Sequence, residues 1–115
     1  MSKIDLSIII INYKCWDVLA RCIDSFNKYK PQTSYEIIVV DNDSQDGKFN
    51  SFQKQFNEIK LIANKGNYGF SNACNLGSEN AKGDFLLFLN PDVTLTDSPA
   101  IDEMFSFARA NPNVG

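Results

Sequence analysis

The sequence predicts an α/β fold, a mostly parallel open sheet with helices on both faces. Three observations predict it. Short unbroken apolar runs recur along the chain, amphipathic segments alternate with them, and most runs end abruptly in polar, turn-forming residues. Continuous apolar runs suit strands buried on both faces of a parallel sheet, and strand–helix alternation calls for right-handed crossovers.

The first run, residues 7–11, is Ser followed by four Ile, and it stops at Asn12-Tyr13-Lys14. Trp16, Leu19, Ala20, Ile23 and Phe26 then recur at helical spacing and make one apolar face, with Cys22 beside it. Pro31 closes that connection. Residues 35–40 form the second strand and run into Asp41-Asn42-Asp43-Ser44-Gln45-Asp46-Gly47, a loop dense in turn formers. A weaker helix over about 48–56 carries Phe49, Phe52 and Phe56 on one side, and a short third strand covers 59–63.

Asn64 to Gly69 is a polar loop. It opens a helix over 70–81 with Phe70, Ala73, Cys74, Gly77 and Ala81 on one stripe, whose small residues allow a close approach to the sheet. The fourth strand starts after Gly83 and ends at Pro91, an aromatic apolar run expected to be buried on both faces. Ser98-Pro99 is a helix start, a capping hydroxyl followed by proline at the first helical position, with Asp102 and Glu103 in the first turn. Ile101, Met104, Phe105 and Ala108 should face the core, and Asn111-Pro112 ends the helix. A further strand would be expected beyond, so residues 1–115 read as the first part of a larger single domain.

Composition narrows the function classes. The chain has 115 residues, 43% hydrophobic and 22% charged, as in an ordinary globular protein. A net charge of -3 without a basic cluster offers no surface for nucleic acid or for anionic membranes. There is no histidine and no Cys-x-x-Cys, which disfavours zinc and removes every histidine-dependent triad. Three scattered cysteines, Cys15, Cys22 and Cys74, suit a reducing compartment and buried packing. No apolar stretch is long enough to span a bilayer and no secretory signal opens the chain, so a cytoplasmic location, the inner face of the membrane included, is the default.

Parallel strands bring their C-terminal ends to one edge, where open α/β sheets bind ligands. Tyr13, the loop from Asp41 to Asp46, the loop from Asn64 to Gly69, and Asn90 to Asp92 converge there. Asp92, a hard oxygen donor on a stiff turn, suits Mg²⁺ or Mn²⁺ carrying a phosphate; its alternative is a capped turn. Neither G-x-G-x-x-G nor G-x-x-x-x-G-K-[ST] is present, against an ordinary NAD fold or a P-loop. A receiver-type signalling domain would need paired acids after the first strand, where Asn12 and Tyr13 stand.

Four segments in order carry a family resemblance: Ser-Ile-Ile-Ile-Ile-Asn-Tyr from Ser7, Ile-Ile-Val-Val-Asp-Asn-Asp-Ser from Ile37, Asn-Lys-Gly-Asn-Tyr-Gly-Phe-Ser-Asn-Ala-Cys-Asn-Leu-Gly from Asn64, and Leu-Asn-Pro-Asp from Leu89. Together they resemble the donor-binding, Rossmann-like half of a family 2 glycosyltransferase with the GT-A fold, in wording closest to rhamnosyltransferase-like members. The resemblance covers nearly the whole chain. It implies inverting transfer of a sugar from a nucleoside diphosphate, UDP- or dTDP-linked sugars favoured, to a glycan or lipid-linked glycan in cell-surface polysaccharide synthesis.

It further implies that Asp41 accepts a hydrogen bond from the base, that Tyr13 packs on the base, and that Asp92 ligates Mg²⁺ or Mn²⁺ on the diphosphate. Tyr13 has a rim aromatic as its alternative. Asn90 departs from the family pattern by standing at the first acidic position of the DxD motif; it keeps an acceptor but no charge. Lys14 stands where such sequences often have Asn. Lys65 and Asn67 are candidate nucleotide contacts, with a solvated lysine and a turn amide as alternatives, and Asn75 is a weaker one. Asp43 and Asp46 read as loop and helix-cap residues. The catalytic base is expected downstream of the chain, and Asp102 and Glu103 are poor substitutes. The rival reading is a non-catalytic nucleotide-binding or structural module. A bare sheet edge is expected to pair between copies.

Overall fold

β-branched runs that cannot tolerate water on either face make the centre of the sheet. In the computed structural model, which describes residues 3–66, 69–97 and 99–111, eight elements alternate without exception. They are β1 (Leu6–Asn12), α1 (Trp16–Lys28), β2 (Tyr35–Asp41), α2 (Phe49–Gln55), β3 (Lys60–Ala63), α3 (Phe70–Glu79), β4 (Phe85–Leu89) and α4 (Pro99–Ala110). All pairings are parallel and the strand order is β3-β2-β1-β4. The chain runs outward from β1 to β3, then returns to the other side of β1. That reversal creates a switch point between β1 and β4.

The larger core lies on one face. Ile8, Ile10 and Val39 pack there against Trp16, Leu19, Cys22, Ile23 and Phe26 of α1, Phe52 of α2, and Ile101 of α4. The other face is covered by α3, where Ile9, Ile38 and Val40 meet Ala73. The expected close approach is present: a Cβ on Gly77 would sit 2.6 Å from Ile9 Cγ2. Gly83 has a similar reason to be glycine, since a Cβ there would lie 2.6 Å from the Ser7 backbone nitrogen. Around it, Ser7 Oγ donates to Glu36 Oε2 at 2.6 Å and accepts from the Gly83 N–H at 2.8 Å, which fixes the entry into β4.

Four expectations need correction. β4 is not buried on both faces: Leu86 and Phe88 are half-exposed. In register they lie beside Ser7 and Ile9, on the face that α3 covers only over β1 and β2. Phe70 and Met104 are exposed, not part of their helices' buried stripes: Phe70 is the first residue of α3, and Met104 stands mid-helix in α4, whose buried residue is Ile101. Cys15 is exposed, unlike the fully buried Cys22. Ser98 and Pro112 lie outside the described residues; α4 does begin at Pro99, and the Asp97 carboxylate accepts the Ala100 N–H at 3.2 Å. No helix among the described residues is long and apolar enough to cross a membrane.

Candidate functional site

The polar ends of the strands meet as the topology requires. Asn12 and Asp41 are the last residues of β1 and β2 and stand directly opposite in register. Asn12 is fully buried, and its Nδ2 donates to Asp41 Oδ1 at 2.9 Å. Its Oδ1 accepts the Cys15 N–H at 3.2 Å, which ties the strand to the start of α1. Asp41 is 5% exposed. Its Oδ1 also accepts Ser44 Oγ–H at 2.5 Å, and its Oδ2 accepts the Ser44 N–H at 3.2 Å. Ser44 Oγ in turn accepts the Lys14 N–H at 2.9 Å. A carboxylate has roughly four acceptor positions, so one on Oδ2 remains for another donor.

On the other face, Asn42 and Asn64 form a second buried group. Asn64 Nδ2 donates to Asn42 Oδ1 at 3.0 Å and to Asn72 Oδ1 of α3 at 3.1 Å. Asp43 and Asp46 both bond within or between loops, although the N-cap residue of α2 is Lys48 and not Asp46. Asp43 accepts from Gln45 Nε2 and from the Gly66 N–H, linking two loops. Asp46 accepts Trp16 Nε1–H at 2.9 Å and the Lys48 N–H at 3.3 Å, just before α2. Among the described residues no buried side-chain nitrogen or oxygen lacks a partner.

A cleft of about 420 Å³ opens between the ends of β2 and β3, lined by Asp41, Asp43, Gln45, Asn50, Asn64 and Lys65 among others. Tyr13, 46% exposed, follows β1 directly. Beyond β4, the Val93 N–H donates to the Asn90 carbonyl at 3.2 Å, closing a turn with Pro91 and Asp92 at its centre. Asn90 and Asp92 are exposed. Leu89 pairs with Ile10, so this turn stands level with the end of β1. Asp92 is thus across the switch point from Tyr13, while the Asp41 cleft is two strand spacings, roughly 10 Å, from β4. Asn67 lies outside the described residues. Asn75 shares a separate shallow recess with Asn64 and Asn72.

Among the described residues no three of His, Cys, Asp and Glu gather into a metal cage. What the edge offers is the Asp92 carboxylate and the Asn90 amide, hard oxygen donors without imidazole. That set fits Mg²⁺ or Mn²⁺ held largely by phosphate oxygens and water, not a protein-caged ion. The charge of Asp92 is felt nearby: burial first, then Asp92, pushes the Cys22 thiol up to about 11.

Asp102 is away from this edge. Its carboxylate accepts the Gln32 and Thr33 N–H groups at 3.1 and 2.8 Å, and the Thr33 hydroxyl, in the loop that enters β2 at its N-terminal end. Burial pushes its pKa upward, but the Thr33 and Gln32 hydrogen bonds outweigh this and hold it below the usual value. The buried partners Asn12 and Ser44 were not singled out from sequence as site residues. The available signal was a polar residue closing an apolar strand, with a hydroxyl three residues after the acid.

The comparisons with known proteins bear on family and fold. The chain is 32% identical over 111 residues to a poly(ribitol-phosphate) beta-glucosyltransferase of Bacillus spizizenii, covering 92% of this chain and 17% of that protein. It is 30% identical to glycosyltransferase AglE of Haloferax volcanii, over 76% of this chain and 30% of the relative. The chain therefore spans less than a third of either relative. Among solved structures, residues 1–349 of S. aureus TarS superpose with a TM-score of 0.77 at 23% identity, covering 95% of this chain and 33% of that one. A Pyrobaculum calidifontis mannosyltransferase, solved with GDP-Man and Mn²⁺, superposes with a TM-score of 0.82 at 18% identity, covering all of this chain and 35% of that one. These likenesses establish the GT-A-type α/β fold. With residues 7–115 matching the family model of Glycosyl transferase family 2, and the strand-end edge described above, the chain belongs to that glycosyltransferase family.

Proposed function

We propose that the strand-end edge binds a nucleoside-diphosphate sugar, and that the protein transfers the sugar with inversion to a hydroxyl of a glycan or lipid-linked glycan of the cell surface. One observation carries the reading: a cleft beside Asp41 and an exposed Asn90–Asp92 turn lie on one edge, on either side of the switch point. The base enters the cleft, where the remaining acceptor position of Asp41 takes an imide N–H, Tyr13 packs against the nucleoside, and Lys65 and Asn67 contact the nucleotide. The diphosphate reaches towards β4, where Asp92, with Asn90 beside it, would hold Mg²⁺ or Mn²⁺. When bound, the ion would neutralise charge building on the leaving diphosphate.

Neighbouring structures solved with UDP, UDP-GlcNAc or GDP-Man support a nucleotide-sugar donor, and the relative named for poly(ribitol-phosphate) supports a polymeric acceptor. The Leu-Asn-Pro-Asp wording supports a rhamnosyltransferase-like member, and a cytoplasmic site, extending to the inner membrane face, follows from a nucleotide-sugar donor. The uncovered β4 edge supports pairing of two copies, to be read as a concentration-dependent dimer in sedimentation velocity.

Calorimetric titration with UDP, dTDP and GDP, with and without Mn²⁺, tests the donor reading. One nucleotide should bind with metal dependence, and Asp92→Ala should abolish that dependence. A folded protein that binds none of them overturns it. Metal-dependent binding without transfer in the full-length protein would favour the non-catalytic module.

A further inference from the structure

Lys14 lies between the two ends of the path just proposed for the donor. It follows Tyr13 at the end of β1, the strand between β2 with its cleft and β4 with its Asp92 turn. Its backbone is in the left-handed region, φ +55°, an unusual conformation for lysine. The conformation is held from outside: the Lys14 N–H donates to Ser44 Oγ at 2.9 Å, and Ser44 is bound to the buried Asp41. The side chain is exposed, and its ammonium lies 5.3 Å from the centre of the Tyr13 ring.

The charges at this edge need a cation there. Asp41 at the end of β2, and Asp43, Asp46 and Asp92 on the strand-end loops, repel an incoming diphosphate. Asn90 leaves the metal position one charge short of a two-acid site. Lys65 stands after β3, two strand spacings, roughly 10 Å, from β1, and lines the cleft on the base side. Lys14 is the described lysine at the switch point itself.

We propose that Lys14 reads the donor diphosphate: its ammonium moves from the Tyr13 face onto the phosphate oxygens as the nucleoside takes that face. This rests on the donor-binding reading. It assigns Lys14 a recognition role specific to the charged part of the ligand, as expected of a compact ammonium on a flexible stem.

The test compares UDP with uridine, and GDP with guanosine, by calorimetry with Mn²⁺, on the wild-type chain, Lys14→Asn and Lys14→Arg. Asparagine tolerates the left-handed backbone, so Lys14→Asn removes the charge without straining the turn. Lys14→Asn should weaken the bound diphosphate about tenfold and flatten its salt dependence, with the nucleoside unaffected, and Lys14→Arg should restore most of the affinity. Equal loss for nucleoside and diphosphate, or no loss for either, overturns the proposal while leaving the donor reading intact. Absence of any nucleotide binding in the wild type overturns both.

Discussion

Replacing Asn12 by alanine should be among the most damaging single changes to this chain, although it deletes only a small polar group. The side chain is fully buried and makes two hydrogen bonds. The first, to Asp41 Oδ1, reaches a carboxylate that is itself 5% exposed. Losing a hydrogen bond to a buried charge costs about 1.5–3 kcal/mol, since the charge keeps its desolvation without its partner. The second bond, from the half-buried Cys15 N–H, adds about 0.5–1 kcal/mol, because water can replace it in part. The sum is about 3 kcal/mol, or a melting shift of roughly 12 °C for a chain of this size. Urea unfolding followed by far-ultraviolet circular dichroism reads it directly, with an unchanged slope expected. A double-mutant cycle with Asp41→Ala isolates the pair: on that background Asn12→Ala should cost only about 1 kcal/mol. A cost below 1 kcal/mol in the single variant, or a coupling near zero, would refute the view that Asp41 depends on Asn12.

Gly83→Ala should destabilise by about 2–3 kcal/mol, because the new methyl meets the backbone of Leu6 and Ser7 and neither can yield cheaply; chemical denaturation checks it. Gly77→Ala should cost less, about 1 kcal/mol in the same assay, since the clash with Ile9 is with a side-chain methyl and alanine gains helix propensity. Asp102 has a pKa below its ordinary 3.8, so its hydrogen bonds stabilise the fold above that value and are lost as the pH falls through the folded pKa. The stability difference between wild type and Asp102→Asn, small because the group is largely solvated, should therefore shrink on acidification below pH 3.8. Cys22, pushed from 9.0 to about 11, stabilises below pH 9 and loses that contribution as the pH rises towards 11. At pH 8 a thiol reagent should label the exposed Cys15 first and leave Cys22 unmodified until the protein unfolds.

The eight elements were legible in sequence because each is signalled locally: Ile8 to Ile11 by β-branching, α1 by the recurrence from Trp16 to Phe26, and the Asn90 turn by Pro91. Burial was less legible. Leu86 and Phe88 belong to a run as apolar as β2, yet stay half-exposed because α3 lies over β1 and β2. Whether a strand is covered on both faces is decided by the crossover, not by the strand. Met104 misled for the same reason, since helical spacing says which residues share a stripe and not how wide the opposing surface is. The Asn12–Asp41 pair escaped because its register joins residues 29 apart in sequence, and only the parallel pairing of β1 with β2 makes them neighbours.

The strand-end edge divides by position along the chain. Polar residues that close a strand or begin its loop (Asn12, Asp41, Asn42, Ser44, Asn64) are buried and bonded to one another. Those beyond the strand end (Tyr13, Lys14, Lys65, Asn90, Asp92) are exposed. The first group offsets its burial by hydrogen bonds to one another and to neighbouring groups such as the Cys15 and Lys14 N–H and Asn72, so it has almost no capacity left for a ligand, the remaining position on Asp41 apart. The second group is solvated before binding and gives up little intramolecular bonding to meet a ligand. Stability and recognition are therefore carried by adjacent but different residues. Substitutions at Asn12 or Ser44 should lower melting temperature and affinity together, because they move the scaffold of the crevice. Substitutions at Asp92 or Lys65 should change affinity at an unchanged melting temperature. Asp41 alone stands in both groups: Asp41→Asn keeps the side-chain shape, but places an amide against Asn12 Nδ2 or Ser44, and should lose on both measurements at once.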